Sequence, residues 1–361
     1  MSKSLLKKIF LPIIAAVLVF ILVDNDSFLY RTPVGEILSV HTVSRENVTD
    51  AFHNHDTQVT QELTIKLLNR NSSTFQLTNS ATTSQTATML YQPGQKVILS
   101  AGSAGYQIVS LKRDAVIAAL FTCVIGYLVV FVRLRASLAI LASLAINLLL
   151  FFSTVWLDLQ WNALPALVIY SLLAILFAAV SLVFILGLSR QMFATFIATL
   201  LSTALTFAIC LSVLRLTGDS GVSFEYLNYV TKDSPETLFF MGTIISVLGA
   251  IIDGTSDVIV GLFSIQRKNP ATTRRDYFRS GLSIGREITG ALTNVLFMIF
   301  IVGVLPMTLL LLHNGNSWSY ISTVALNLGL LQTLISAIGI VLSIPITSAV
   351  ASVWLTRKES L

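Results

Sequence analysis

Apolar runs of about twenty residues recur along this chain from Ile9 to the C-terminal region. A helix of about twenty apolar residues crosses the ~30 Å hydrocarbon core of a bilayer. Charged residues make up 11% of the chain, whereas a soluble globular domain contains roughly 25%. The sequence therefore predicts an integral membrane protein.

About eight membrane spans are predicted. The first is an N-terminal anchor over residues 1–26, in which Lys3, Lys7 and Lys8 precede the apolar run Ile9–Val23. A cleaved signal peptide is the alternative, but no small-x-small cleavage site follows the run, which favours the anchor. Seven further spans are predicted within residues 114–361, at about 114–132, 136–156, 163–187, 192–214, 237–262, 287–312 and 328–355.

The distribution of basic residues predicts the orientation of the chain. With the N-terminus inside, the cytoplasmic segments hold nearly all Lys and Arg found outside residues 27–113, whereas the short outer loops hold only Arg215 and Lys232. Cytoplasmic loops collect Lys and Arg, so both termini are predicted to be cytoplasmic and residues 27–113 extracytoplasmic. The basic loop Gln266–Ser280 could contact a cytoplasmic partner or nucleic acid, but membrane lipids already account for its charge. No nucleic-acid partner is predicted.

Residues 27–113 are polar and show the alternation of β-strands. Apolar residues take the odd positions from Val59 to Leu67, apart from Gln61, which places an apolar row on one face of a strand. Further strands are predicted at Pro33–Val43, Thr74–Asn79, Ala87–Tyr91, Lys96–Ser100 and Gly105–Leu111. Five or six short strands predict a small all-β barrel of OB or SH3-like type. The predicted fold class is therefore mixed, an α-helical polytopic membrane bundle with a small β-domain after its first span.

Two carboxylates interrupt the apolar sequence between Val247 and Ile265. Asp253 and Asp257 are four residues apart, so on a helix they lie on the same side. A charged Asp at mid-membrane costs about 2.5–3.5 kcal/mol on insertion scales, so Asp253 requires a partner, a proton or water. We predict that Asp253 lines a polar path or proton site. The alternatives are that it pairs with a nearby Arg and that Asp257 only marks the cytoplasmic end of the span.

The residues around Asp253 leave the shape of this span open. Asp253-Gly254-Thr255-Ser256 is poor helix sequence, so the span is either an interrupted helix, as in many transporters, or a simple tilted one. Small residues that allow another helix to approach closely recur here and in the next span. The predicted packing residues are Ser246, Gly249, Ala250, Gly254, Gly281, Gly285 and Gly290.

The next span supplies the rest of a predicted polar cluster. Arg286 could pair with Asp253 or Asp257, and Asn294 could form a hydrogen bond between helices. The alternatives are an interfacial Arg in contact with lipid phosphates and an Asn with a packing role. The predicted cluster comprises Asp253, Asp257, Arg286, Glu287 and Asn294.

This stretch resembles the YibE/F family of bacterial multi-pass membrane proteins. The resemblance is carried by Gly249-Ala250-Ile251-Ile252-Asp253, by Ser280–Gly290, and by Asn294, Gly303 and Leu305-Pro306. It marks residues 245–306 as the core of the family. The anchored β-domain, with its Pro-Gly-Gln-Lys-Val stretch, resembles that of the longer, YibE-like members.

Two departures from the family pattern are visible. Relatives usually carry Arg-Asp where this chain has Arg286-Glu287, which keeps the charge. Relatives continue from the Asp into Val-Ala-Met-Ser, whereas this chain has Gly-Thr-Ser-Asp, so the resemblance implies no role for Asp257. The resemblance implies a bacterial cell-membrane location. Because members are often encoded in adjacent pairs, it also implies a hetero-oligomer with a shorter YibF-like partner, a homo-oligomer being the alternative.

Other patterns carry less weight. Gly281–Gly285 matches G-x-S-x-G, but the chain lacks the strand-turn-helix context and a suitably placed His. His53, His55 and Asp56 could hold a metal on a strand, although such residues in a polar segment are more often surface residues. The chain has no Walker A sequence, no H-E-x-x-H and no dinucleotide fingerprint. We predict no enzymatic activity, no metal and no cofactor.

The functional expectation is a permease component for a small solute or ion, built around the polar cluster at Asp253. The alternative is a non-transporting membrane scaffold or envelope sensor whose β-domain binds an extracytoplasmic partner.

Overall fold

The computed structural model describes residues 3–69, 73–85, 88–102, 105–132, 134–160, 164–218, 221–222, 224 and 234–356, without the side chains of residues 3–7. Some basic residues used for the orientation lie outside the described residues, namely Arg133, Lys232, Arg357 and Lys358. The chain divides into two units, Met1–Leu138 and Ala139–Leu361, and each is described by itself.

The first unit contains a five-stranded antiparallel sheet. Its strand order is β3-β2-β1-β4-β5, with β1 Val34–Thr49, β2 His55–Leu67, β3 Thr74–Thr82, β4 Lys96–Gly102 and β5 Gly105–Leu111. Only the first residues of β1, Val34–Glu36, pair with β4. The pairing of β1 with β2 has irregularities at Ile37/Ser39 and Thr42/Ser44, and such bulges bend a strand and increase its twist.

The core of the sheet has the alternation that the sequence predicts. Leu63, Ile65 and Leu67 are buried together with Ile37 and Leu99. The predicted small β-domain is therefore confirmed as an antiparallel sheet. Between the two end strands, the rings of Phe75 on β3 and Tyr106 on β5 lie 5.0 Å apart.

The strand predicted at Ala87–Tyr91 is wrong for the residues that the structure describes there, Thr88–Tyr91, which form no strand. Side-chain amides replace the backbone ladder in this segment. The Tyr91 N–H donates to Oε1 of Gln61 at 3.0 Å, and Nε2 of Gln61 donates to the Tyr91 carbonyl at 3.1 Å. Nδ2 of Asn79 donates to the Met89 carbonyl at 2.9 Å. Gln61 therefore interrupts the row of apolar residues on β2 because its amide forms hydrogen bonds with the backbone of Tyr91.

Two helices accompany the sheet in the first unit, α1 Lys3–Asp24 and α2 Asp114–Phe131. A methyl group on Gly126 of α2 would lie 2.8 Å from Cβ of Pro12 on α1. The hydroxyl of Tyr127 donates to the carbonyl of Ile9 at 3.2 Å. The missing side chain of Gly126 thus allows the two helices to pack closely.

The second unit is helical. Its helices are α4 Ala166–Leu186, α5 Arg190–Thr217, α6 Pro235–Lys268, α7 Arg274–His313, α8 Trp318–Ile321 and α9 Asn327–Thr356, and α3 Leu134–Gln160 crosses the boundary between the units. A π-helical turn, Ser322–Leu326, joins α8 to α9. α9 lies at the centre and packs against α5, α6 and α7.

Seven helical segments of the described chain are long and apolar enough to cross a membrane, and they correspond to the seven spans predicted after residue 114. α1 is not among them, so the eighth span stays a prediction. α7 begins at Arg274, well before the span predicted at 287–312. The first turns of α7 carry charged residues, so a hydropathy criterion does not assign them to the span. They are helical all the same, and their Tyr277, Gly281 and Gly285 are buried against the rest of the bundle.

Candidate functional site

α6 is one uninterrupted helix of 34 residues, so the span around Asp253 is not broken. Two of its sides are covered. Val247 and Ile251 pack with residues of α5 and α9, whereas Leu248 and Ile252 pack with Ala174 and Ala178 of α4.

A third side of α6 contacts α7 at Gly261, and the remaining side is exposed. We call this side the acidic face, and it consists of Gly242, Gly249, Asp253, Asp257 and Val260. Asp253 and Asp257 share the face because they are one helical turn apart. Within the described part of the chain, neither carboxylate has a hydrogen bond or an ion pair.

The contacts of two glycines define the register of α6 and α7. A methyl group on Gly261 would lie 2.8 Å from Cδ1 of Ile284, and one on Gly254 would lie 3.9 Å from Cδ1 of Leu292. The helices are antiparallel, so position 257 on α6 is level with about position 288 on α7. Arg286 and Glu287 therefore lie within about 3 Å of the level of Asp257, at ~1.5 Å per residue.

The structure does not bring Arg286 to the carboxylates of α6. Ile284 faces α6, and Arg286 is two residues further along, about 200° around the helix. Its side chain is exposed and points away from α6. The predicted pairing of Arg286 with Asp253 or Asp257 is absent from the ion pairs of the described residues.

Glu287 and Asn294 lie on the side of α7 that borders the acidic face. Gly281 and Gly285 contact α9 on one flank of Ile284, whereas positions 287 and 294 fall on the opposite flank. Both side chains are exposed. The predicted cluster thus separates into an acidic part at the α6–α7 border, with Asn294 beside it, and an outward-facing Arg286.

The small residues fall into two groups. Gly254, Gly281 and Gly285 lie against α9, where added methyl groups would meet Ser343, Ser348 and Ile344 respectively. Gly249 and Gly290 have no atom within 4 Å of such a methyl group. Ser246 and Ala250 are half-buried. The predicted packing residues therefore include both helix contacts and open positions.

Comparison with known proteins gives two family matches. A profile described as YibE/F-like protein matches residues 120–357, and one described as YibE/F family N-terminal domain matches residues 28–111. The chain belongs to the YibE/F family. The first match contains α3–α9 of this YibE/F protein, and the second contains all five strands. No curated protein and no solved structure matches the chain.

The core of this YibE/F protein contains a polar feature that the sequence analysis missed. Three helices, α5, α6 and α9, carry buried hydroxyl side chains, namely Thr195, Thr199, Ser202, Thr206, Thr243, Thr255, Thr333, Ser336, Ser343, Thr347, Ser348 and Ser352. The hydroxyls of Thr199 and Thr255 are 2.9 Å apart, which joins α5 to α6. The spacing of Thr195, Thr199, Ser202 and Thr206, three or four residues apart, is the sequence signal that could have revealed this row.

Most of these hydroxyls donate to carbonyls of their own helix. Thr195 donates to Gln191 at 2.9 Å and Ser202 to Ala198 at 2.7 Å. Such bonds satisfy the hydroxyls locally, and their small side chains let the helices approach closely. Thr347 Oγ1 is buried without a partner among the described residues.

A second missed feature is an ion network in the first unit. Nζ of the buried Lys112 lies 2.9 Å from Oδ1 of Asp26 and 3.0 Å from Oδ1 of Asp114. The hydroxyl of Tyr30 donates to Asp114. Burial lowers the pKa of Lys112, but the hydrogen bonds to the two carboxylates outweigh it and raise the pKa above its usual value. The network joins the end of α1, the sheet and the start of α2.

His53 and His55 do not lie together on one strand. His53 lies in the turn before β2 with a φ of 63°, outside the strand that begins at His55. Nδ1 of His55 is 3.0 Å from the hydroxyl of Thr49. The described residues contain no group of three His, Cys, Asp or Glu able to hold a metal.

Asp56, beside His55, is already surrounded by donors. The hydroxyls of Ser84 and Thr83 and the backbone N–H of Thr57 donate to its carboxylate. These bonds hold the pKa of Asp56 well below its usual range. The carboxylate lines an open polar pocket with Asn47, His55, Thr57 and Thr83.

Proposed function

We propose that this YibE/F protein is a component of a membrane permease for a small solute or ion. The observation that carries the proposal is the acidic face of α6, on which Asp253 and Asp257 are exposed without a partner in the described chain. A carboxylate in lipid is costly, and ionisable residues in membrane spans commonly line pathways for ions or protons. A water-filled path or a polar partner is therefore expected along this face.

The register of α6 and α7 supports different depths for the two carboxylates. The uncharged part of α7 begins at Ile288, which is level with Asp257, and this supports a position for Asp257 at the boundary of the membrane. Asp253 lies one turn deeper, about 6 Å further along the axis. This favours the interpretation of Asp257 as the end of the span and makes Asp253 the principal intramembrane group.

The proposed placement has both termini in the cytoplasm, the β-domain outside the bacterial cell membrane, and α1 retained as an anchor. Two contacts support the retention of α1. It packs closely along α2 at Gly126, and Asp24 at its end forms an ion pair with Lys96 of β4 at 2.5 Å. Cleavage after α1 would remove both contacts.

We further propose that the sheet is a partly open barrel of the OB type. The strand order β3-β2-β1-β4-β5 is consistent with that fold, in which the two end strands approach each other. The contact between Phe75 and Tyr106 joins the same two strands, and the bulges in β1 supply the curvature.

The permease proposal is tested by replacing Asp253. A strain that lacks the gene is first screened against ions, osmolytes and envelope stresses to find the flux or growth defect that the wild-type gene restores. Asp253→Asn is expected to reach the membrane at the wild-type level but to lower the restored flux at least tenfold, because the carboxylate is lost while the shape is kept. Glu236→Gln is the matched control, since Glu236 is an exposed carboxylate in the first turn of the same helix. Full activity of Asp253→Asn would reject a functional carboxylate.

The second candidate is a scaffold or sensor, favoured by the open polar pocket of the β-domain at Asn47, His55 and Asp56. Deletion of residues 32–110 separates the two functions. The permease predicts that the helical unit still inserts and retains at least part of the flux. Complete loss of the phenotype with intact insertion would instead support the scaffold.

A further inference from the structure

The charges on α6 and α7 are complementary but cannot meet within one chain. Asp253 and Asp257 are exposed on the acidic face of α6, and Arg286 is exposed on the side of α7 that points away from α6. Arg286 and Asp257 nevertheless lie within about 3 Å of the same level along the helices. Each chain therefore presents a positive and a negative group, at one depth, on two separate surfaces.

We infer that the acidic face of α6 is covered by α7 of a second copy of this chain, with Arg286 of the second copy placed beside Asp257. This inference rests on the proposed function for the position of the helices in the membrane. It also extends that function, because the polar site would be incomplete in a single chain.

Symmetry within the membrane favours this arrangement. Copies inserted in the same orientation are related by an axis along the membrane normal, so each residue keeps its depth in every copy. A two-fold contact would turn the Glu287 side of α7 toward the acidic face, so the contact is head-to-tail, with Arg286 of one copy beside Asp257 of the next around a closed ring. Opposite charges at the same depth can meet in this way, whereas charges at different depths could not.

The position of α7 makes the contact geometrically accessible. The acidic face lies between the sides of α6 that contact α4 and α7. α7 therefore forms one wall of this groove, and its Arg286 points outward from the bundle. The outward side of α7, which carries Arg286, could enter the groove of the next copy. Gly249 in the groove and Gly290 one turn beyond Arg286 are open positions that permit close approach of the helices.

The pairing also separates the roles of the two aspartates. Arg286 of the second copy would meet Asp257 at the membrane boundary, while Asp253 one turn deeper would remain unpaired. The carboxylate of Asp253 would then be the group available to a cation or a proton. A lipid headgroup could satisfy Arg286 in a single chain, but it would leave the acidic face of α6 uncovered.

The test uses cross-linking between two differently tagged full-length chains expressed together. Both carry Cys123→Ser and Cys210→Ser, and one adds Asp257→Cys while the other adds Arg286→Cys. Each chain has a single cysteine, so a disulfide between the two tags forms only between copies. We expect it after oxidation of isolated membranes with copper phenanthroline. Leu149→Cys, on an exposed position of α3, replaces Asp257→Cys in the control and should give no product.

A charge exchange provides the second measurement. Asp257→Arg alone and Arg286→Asp alone should each reduce the oligomer fraction in mild detergent at least fivefold, and the double variant should restore it. The inference is overturned if all single-cysteine chains reach the membrane but give no mixed disulfide above the control. A partner other than a second copy of this chain would then cover the face.

The two proposals can fail separately. A disulfide together with full activity of Asp253→Asn would retain the contact between copies and reject the permease. Loss of activity in Asp253→Asn without a disulfide would retain the permease and reject the second copy.

Discussion

Gly285→Leu is expected to remove most of the folded protein from the membrane. A methyl group at position 285 would already lie 2.8 Å from Cγ1 and 3.0 Å from Cβ of Ile344 on α9. Leucine adds three further carbons at a point where the side chain of Ile344 already lies against the backbone of α7. Overpacking of a well-packed core typically costs about 1–3 kcal/mol and occasionally more. We expect the upper end of this range, because α9 packs against three other helices.

The measurement is the amount of monodisperse protein extracted in mild detergent, together with its thermal unfolding midpoint. Gly303→Leu is the matched control, since Gly303 is on the same helix and has no atom within 4 Å of an added methyl group. It should behave as the wild type. Equal yields and midpoints for the two variants would contradict the packing of α7 on α9.

Lys112→Met is expected to loosen the junction between α1, the sheet and α2. The ammonium group of Lys112 is bound by Asp26 and Asp114, and its side chain is only 1% exposed. Removal of one partner from a buried ion pair costs about 3–5 kcal/mol, because it leaves charges without compensation. Asp26 and Asp114 are partly exposed, so we expect about 3 kcal/mol.

Hydrogen exchange of the full chain in detergent is the appropriate readout. Amides of β4 and of the start of α2 should exchange about a hundredfold faster in Lys112→Met, whereas α6 and α9 should be unchanged. Lys66→Met is the control, since Lys66 is an exposed lysine on β2. The double variant with Asp26→Asn should recover part of the protection. Unchanged exchange in Lys112→Met would mean that the network adds no stability.

The sign of the pH dependence follows from the raised pKa of Lys112. A lysine whose pKa is higher in the folded state contributes its full stabilisation below its unfolded pKa of ~10.4. The contribution is lost as the pH rises through the folded pKa. The junction should therefore remain protected at neutral pH and weaken only in strongly alkaline solution.

The membrane class, the seven helical spans after residue 114 and the β-character of the N-terminal domain were all predictable from the amino-acid sequence. These properties depend on patterns local to each segment. A backbone in lipid must satisfy its hydrogen bonds within the helix, so an apolar run of sufficient length specifies a span. Alternation between Val59 and Leu67 likewise specifies a strand with one buried face. The motifs at Asp253 and Ser280–Gly290 were sufficient to recognise the YibE/F family.

The side of each helix that is covered depends on how the helices pack together, and the sequence did not predict it. The rotation of α7 is fixed by the contacts of Gly281 and Gly285 with α9, and that rotation turns Arg286 away from Asp257. The amides of Gln61 and Asn79 held Thr88–Tyr91 out of the sheet, and Lys112 found partners far away in sequence. Each of these outcomes depends on contacts between residues that are far apart in the sequence. The free energy of such a packed interface is the sum over all the residues in it, so the local pattern of one segment does not predict it.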